Sequence, residues 1–227
     1  YNAWEEMKND PDGPYELYGW GTGGDGQLGQ NATTNRSSPT QIGTADTWAA
    51  GASKGWYESA LAGFVKTDGT AWIWGKNQGG TLGQNQAAAQ LDGLSSPTQI
   101  PGTTWATITT GDYNVLMTKT DGTLWGMGLN EQGGLGLNDK VNRSSPTQIG
   151  TGTDWGSFKT METTGASAFV VKSDNTAWVW GSGWGGGLGL NDNPAYKQYS
   201  SPTQLPGSWS SIRAGGTRLG VKTAGTL

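Results

Sequence analysis

The chain has 227 residues, a formal net charge of −4, 40 glycines and 13 tryptophans, with neither cysteine nor histidine. The two zeros exclude disulfides, thiolate nucleophiles, imidazole bases and Cys- or His-held zinc, and with them most hydrolytic and zinc chemistry. The acidic balance gives no electrostatic case for nucleic acid as partner, and no apolar run approaches membrane-spanning length, so no membrane insertion is expected.

Residues 1–16 read as a polar lead-in with no signal-like apolar core. Glu5, Glu6, Asp10, Asp12 and Glu16 cluster there, and NDPDG from Asn9 faintly resembles a calcium loop. It lacks the later ligands and the bidentate glutamate, so no metal or cofactor is expected. An aromatic strand follows, LYGWG from Leu17, and then GTGGDGQLGQN from Gly21 to Asn31.

GTGGDG is a literal match to G-x-G-x-x-G, the glycine pattern that wraps a pyrophosphate. That pattern must leave a strand and open a helix, with an acidic residue about 20 positions on. Here the chain runs on as QLGQNATTNRSSPT, with no helical period. The loop also returns three times, as GKNQGGTLGQN at Gly75, GLNEQGGLGLN at Gly128 and GSGWGGGLGLN at Gly181, spaced 54, 53 and 53 positions apart. The second and third copies lose G-x-G-x-x-G yet keep the turn residues, so the glycines answer to backbone geometry. The third position is Gly23, Asn77, Asn130 or Gly183, types that tolerate positive φ. Leu28, Leu82, Leu135 and Leu188 read as plugs into a core beneath the loop.

Each loop leads through a polar connection to RSSPTQI, LSSPTQI, RSSPTQI or YSSPTQL, whose proline places it at a strand start or sheet edge. A tryptophan then opens a further strand at Trp48, Trp105, Trp155 and Trp209. The hairpin signals KTDGT, KTDGT, KSDNT and KTAGT follow at Lys66, Lys119, Lys172 and Lys222. Asp-Gly predicts type I′ geometry, and the lysines are placed on solvated shoulders. The next aromatic strand comes after each hairpin: AWIWG, LWGMG or AWVWG. Trp72 and Trp74 share one face and Ala71 and Ile73 the other, so the strand must be covered on both sides. Neighbouring copies would supply both covers. Trp20, Trp72, Trp74, Trp125, Trp178 and Trp180 are therefore expected in the structural core.

Up to four strands per unit, in hairpin order and without helix, predict an all-β fold: a β-propeller of four-stranded antiparallel blades. Four repeat units are present, at about 17–70, 71–123, 124–176 and 177–226, with a fifth starting at 227. Seven such blades would need roughly 370 residues, so the repeats predict part of a larger propeller, or one completed by a partner chain.

The run DGTAWIWGKNQGGTLGQN…SSPTQI…W resembles the regulator of chromosome condensation repeat, from about Leu17 onward. The resemblance implies a propeller, usually seven-bladed, and a scaffold whose activity depends on what it carries. Its SSPTQI phrasing and near-identical polar units are similar to family members in phage virions and on bacterial surfaces. The leading expectation is a non-enzymatic binding module on a virion, as fibre, neck appendage or capsid decoration, contacting other virion proteins or a host-surface molecule. A bacterial surface or the cytoplasm are the other locations. The alternative is a cellular protein-binding regulator of the guanine-nucleotide-exchange type. Homo-oligomers or further blades complete the expected partners, and a carboxylate-lined enzyme ranks last.

Candidate contact residues lie where the copies differ. Trp184 stands in the glycine loop where other copies carry Gly24, Gln78 and Glu131. Trp56 and Tyr57 occupy an insertion-like stretch, and Tyr196 and Tyr199 a polar-aromatic connection. Aromatic side chains offer large contact area at low entropy cost.

Overall fold

The computed structural model describes residues 15–44, 47–54, 60–86, 90–156, 158–164, 166–191, 196–215 and 217–223. Trp56 and Tyr57, most of the 1–16 lead-in and the start of a fifth unit lie outside them. Three four-stranded antiparallel sheets are complete. The first comprises β3 (Trp48–Lys54), β4 (Leu61–Lys66), β5 (Ala71–Lys76) and β6 (Gly93–Gln99). The second comprises β7 (Trp105–Thr110), β8 (Asn114–Lys119), β9 (Leu124–Gly128) and β10 (Arg143–Gln148). The third comprises β11 (Phe158–Thr163), β12 (Ser167–Lys172), β13 (Ala177–Ser182) and β14 (Gln198–Leu205). Two-stranded sheets flank them, β1 (Tyr18–Gly21) with β2 (Arg36–Gln41), and β15 (Trp209–Ala214) with β16 (Arg218–Lys222). This is a β-propeller of four-stranded antiparallel blades.

The blades are out of phase with the sequence period. Repeat 71–123 supplies β5 and β6 of one blade and β7 and β8 of the next, so each repeat ties two blades covalently. Accordingly β1–β2 is an outer half-blade and β15–β16 an inner one. A tryptophan at the start of β7 and β15, and three positions before β11, fastens each inner strand to the preceding hairpin. The N–H groups of Trp105, Trp155 and Trp209 donate to the carbonyls of Gly69, Gly122 and Asn175 at 2.9, 3.0 and 2.8 Å.

The core lies between blades. Ala71 and Ile73 pack with Ile108, Val115 and Met117 of the following blade. On the other face of β5, Trp72 and Trp74 pack with Leu17, Ile42 and Trp48. Trp74 and Trp180 are fully buried, while Trp72, Trp125 and Trp178 are half-buried. Trp20 departs from the core expectation: it is 61% exposed. Its strand belongs to the outer half-blade, and no described sheet covers that face.

Three of the four glycine loops stitch to the next blade. The N–H of Asn31, Asn85 and Asn138 donates to the carbonyl of Ser95, Ser144 and Ser200 at 2.7, 2.7 and 2.6 Å. These asparagines hold φ of 53°, 57° and 59°, the left-handed region that Asn tolerates. Leu28, Leu82, Leu135 and Leu188 are all buried. The third loop position works differently from the positive-φ expectation. Asn77 has φ −99°, and its side chain caps the loop: Oδ1 accepts from Leu82 N–H at 3.0 Å, and Nδ2 donates to the carbonyl of Leu91 at 2.8 Å. Asn130 repeats this with Leu135 at 2.8 Å.

Two further expectations are corrected. The hairpin loop is Thr67–Asp68–Gly69, closed by Gly69 N–H to the Lys66 carbonyl (3.0 Å) and Lys66 N–H to the Thr70 carbonyl (2.8 Å). Within that loop φ is positive only at Gly69, whereas type I′ needs it at two residues, so the turn is the three-residue kind with a glycine bulge. Lys222 is exposed as expected, but the other three recurring lysines are not simply solvated. Lys66 Nζ lies 4.8 Å and 4.4 Å from the rings of Trp48 and Trp72, and Lys119 Nζ 4.9 Å and 4.4 Å from Trp105 and Trp125. Lys172 Nζ approaches Trp155 to 3.8 Å and is buried. Indole faces attract an ammonium by their quadrupole, so each lysine clamps an edge-to-face tryptophan pair.

Candidate functional site

Trp184 lies in a one-turn 3-10 segment, Trp184–Gly186, held by Gly187 N–H to the Trp184 carbonyl at 3.1 Å. Its side chain is 67% exposed. Gly183 N–H donates to the Lys197 carbonyl at 2.8 Å. That bond ties the turn bearing Trp184 to the segment bearing Tyr196, which is 72% exposed. Arg218 joins them from β16: a Cβ built on Gly187 would lie 3.3 Å from its guanidinium carbon. Lys197 Nζ stands 4.8 Å from the Tyr199 ring. Two exposed aromatics and two cations therefore share one rim of an otherwise acidic chain.

Tyr199 supports this rim from within. It is half-buried and packs against the cores on both sides of the third complete blade. Of the sequence candidates, Trp184 and Tyr196 are exposed; Lys197 and Arg218 were not singled out from the sequence. Arg218 had a signal: it stands four residues before the hairpin lysine, where the other copies carry Ala62, Val115 and Ala168.

The hairpin ends of the second and third complete blades enclose a cleft of about 580 Å³, lined by Lys119, Asp121, Asp154, Lys172 and Asp174. Its charges already have structural partners. Asp121 Oδ1 accepts from Thr123 N–H and Oγ1 at 3.0 and 2.7 Å, and Trp125 Nε1 donates to Thr123 Oγ1 at 2.8 Å. The same relay joins Asp68, Thr70 and Trp72, and Asp174, Thr176 and Trp178. The hydroxyl and amide of Thr123 hold the Asp121 carboxyl below the usual carboxylate range, and the matching threonines do so for Asp68 and Asp174. Lys172 pairs with Asp154 at 2.6 Å. Among the described residues no group of three potential ligands could hold a metal ion, and no helix is long and apolar enough to cross a membrane.

Residues 16–60 and 121–159 match the regulator of chromosome condensation (RCC1) repeat. The repeats are RCC1-like. The ultraviolet-B receptor UVR8 of Arabidopsis thaliana is 27% identical over 210 residues, covering 92% of this chain and 47% of the receptor. In fold the chain resembles human WBSCR16, with a TM-score of 0.74 and 20% identity over 93% of this chain and 54% of that one. It also resembles yeast RCC1 (Prp20) bound to Kap60, with a TM-score of 0.72 and 19% identity over 92% of this chain and 51% of that one. A second structure of Prp20p from Saccharomyces cerevisiae, described together with its binding to Gsp1p and histones, gives 0.71 and 19% over 92% and 52%. The chain thus spans about half the length of each of these proteins.

Proposed function

We propose that this chain is a non-enzymatic, protein-binding RCC1-like propeller of the cellular-regulator kind, and that the rim of Trp184, Tyr196, Lys197 and Arg218 contacts its partner. The observation that carries the reading is the Gly183–Lys197 bond, which brings two aromatics from separate segments together in water. Trp, Tyr and Arg are the residues that dominate binding hot spots.

The same rim could serve a virion decoration module. The regulator reading is favoured because the fold neighbours include yeast RCC1 with Kap60 bound, and Prp20p described for its binding to Gsp1p and histones. The test is capture on the immobilised chain, followed by measured affinity for the protein identified. Trp184→Ala with Tyr196→Ala should weaken binding at least about tenfold, as loss of hot-spot residues does. Glu131→Ala, at the matching position one blade earlier, should leave affinity unchanged. Wild-type affinity in the aromatic double variant would overturn the rim assignment. Faster GDP release from a captured small GTPase would support the exchange-type regulator, whereas capture of virion proteins alone would return the virion reading.

A further inference from the structure

Apart from residues of the two-stranded sheets, three large hydrophobic side chains are exposed among the described residues: Val141, Trp184 and Tyr196. Val141, 60% exposed, lies in the connection from β9 to β10, one blade before the other two. All three are tied to one short segment, Tyr196–Lys197–Gln198. Tyr196 belongs to it, and the Gly183–Lys197 bond holds the turn of Trp184 against it. Lys140, the residue before Val141, donates from Nζ to Gln198 Oε1 at 2.6 Å and so crosses the blade junction. Singly exposed apolar residues are ordinary on protein surfaces, whereas grouped ones mark interaction sites.

Val141 and Tyr196 occupy corresponding places in the repeat. The N–H at the third position of each glycine loop is satisfied by the connection that follows. Gly23 donates to Asn35 Oδ1 at 3.0 Å, Asn77 to the Asp92 carbonyl at 2.7 Å, Asn130 to Asn142 Oδ1 at 2.7 Å and Gly183 to the Lys197 carbonyl at 2.8 Å. The residue just before each acceptor is Thr34, Leu91, Val141 or Tyr196. Thr34 is polar, and Leu91 packs on the core between blades. Val141 and Tyr196 instead turn apolar side chains to water on adjacent blades. Val141 is also fixed in place. Its N–H donates to Asp139 Oδ1 at 3.0 Å, its carbonyl accepts from Arg143 Nη1 at 2.7 Å, and Asn130 Nδ2 holds Asp139 Oδ1 at 2.9 Å. A contact residue on so constrained a turn loses little freedom on binding.

We propose that Val141, Tyr196 and Trp184 form one docking strip across the junction of the second and third complete blades, and that its occupant is an extended protein segment mixing acidic and apolar residues. The proposal rests on the rim reading above and extends it by one blade. Charge selects the occupant. Lys140 is exposed and among the described residues forms no ion pair, its ammonium meeting only the neutral Gln198 amide. Asp139 beside it is already paired with Arg143, so the turn from Asp139 to Arg143 is left with the Lys140 charge. A carboxylate of the occupant meets Lys140 in place of that amide, while its apolar side chains cover Val141 and Tyr196. An extended segment fits because the contact residues recur at matching positions of adjacent blades rather than around a pocket.

Fluorescence anisotropy with three short synthetic peptides tests this: glutamate alternating with leucine and phenylalanine, lysine alternating with the same apolar residues, and glutamate alternating with serine. The first should bind at least about tenfold more tightly than the other two, and should weaken as salt is raised to ~0.5 M. Lys140→Glu and Val141→Asp should each weaken it at least about threefold. Thr34→Asp, at the matching place in the first repeat, should leave it unchanged. All three side chains are exposed, so thermal midpoints should stay at the wild-type value. Equal binding of the lysine peptide, binding of none of the three, or wild-type affinity in either Lys140→Glu or Val141→Asp would overturn the inference. The rim reading fails separately, by wild-type affinity of the Trp184→Ala, Tyr196→Ala variant for a captured protein, whatever the peptides do.

Discussion

At the residue scale, one short spacing does several jobs. In K-T-D-G-T-x-W the aspartate receives the threonine amide and hydroxyl, the hydroxyl receives the indole N–H, and the lysine lies over the indole face. A buried or half-buried tryptophan thus has its one polar atom satisfied by the turn that precedes it. Because Asp68, Asp121 and Asp174 sit below their ordinary range, the sign of their pH dependence is fixed. A carboxylate whose folded pKa is depressed adds stability above the unfolded value of about 3.9, and loses it as pH falls through the folded value. The triple variant Asp68→Asn, Asp121→Asn, Asp174→Asn keeps an acceptor oxygen but cannot ionise. Its thermal midpoint should lie below the wild-type value at pH 7, and the gap should close as the pH drops below about 4. A gap that stays constant down to pH 2 would refute the carboxylate relay.

At the scale of elements, the glycine loop is a connector between blades. Gly80 combines φ 91° with a Cβ position 2.7 Å from the Cα of Ser144, so a side chain there meets both backbone strain and a neighbouring strand. Gly186 has φ 74° but open space around it. Gly80→Ala should therefore destabilise the chain by about 2 kcal/mol more than Gly186→Ala in urea unfolding, since overpacking adds to the shared strain. Equal effects would mean that the junction contributes nothing. The element pattern was largely legible in the sequence: the loops, the buried leucines, the hairpins and the two-sided aromatic strands all follow from residue type and period. The geometry inside the turns was not. Asn77 and Asn130 look like positive-φ residues from composition alone, and only their partners reveal a side-chain cap. The lysines look solvated until the tryptophan from another strand arrives beneath them.

At the scale of the whole molecule, repeat and blade differ by half a blade. The sequence period alone cannot reveal this, because any starting point describes the period equally well. Hydrogen bonding selects the phase: the tryptophan-initiated strand pairs within the hairpin that follows it, and the SSPT strand pairs with the aromatic strand before it. Trp20, on the two-stranded sheet β1–β2, is exposed among the described residues, while its counterparts Trp74 and Trp180 lie buried between described blades. The rim was legible only in part. Trp184 and Tyr196 stood out as departures from the repeat, but their proximity depends on the Gly183–Lys197 bond, which joins segments 14 positions apart.

Amide hydrogen exchange at Asn31, Asn85 and Asn138 tests the stacked-blade account most directly. These residues lie in loops with exposed side chains, yet each amide donates to the next blade. All three should exchange slowly, with opening free energies close to that of global unfolding, as for core strands. Exchange of these amides at the rate of open loops would contradict the account.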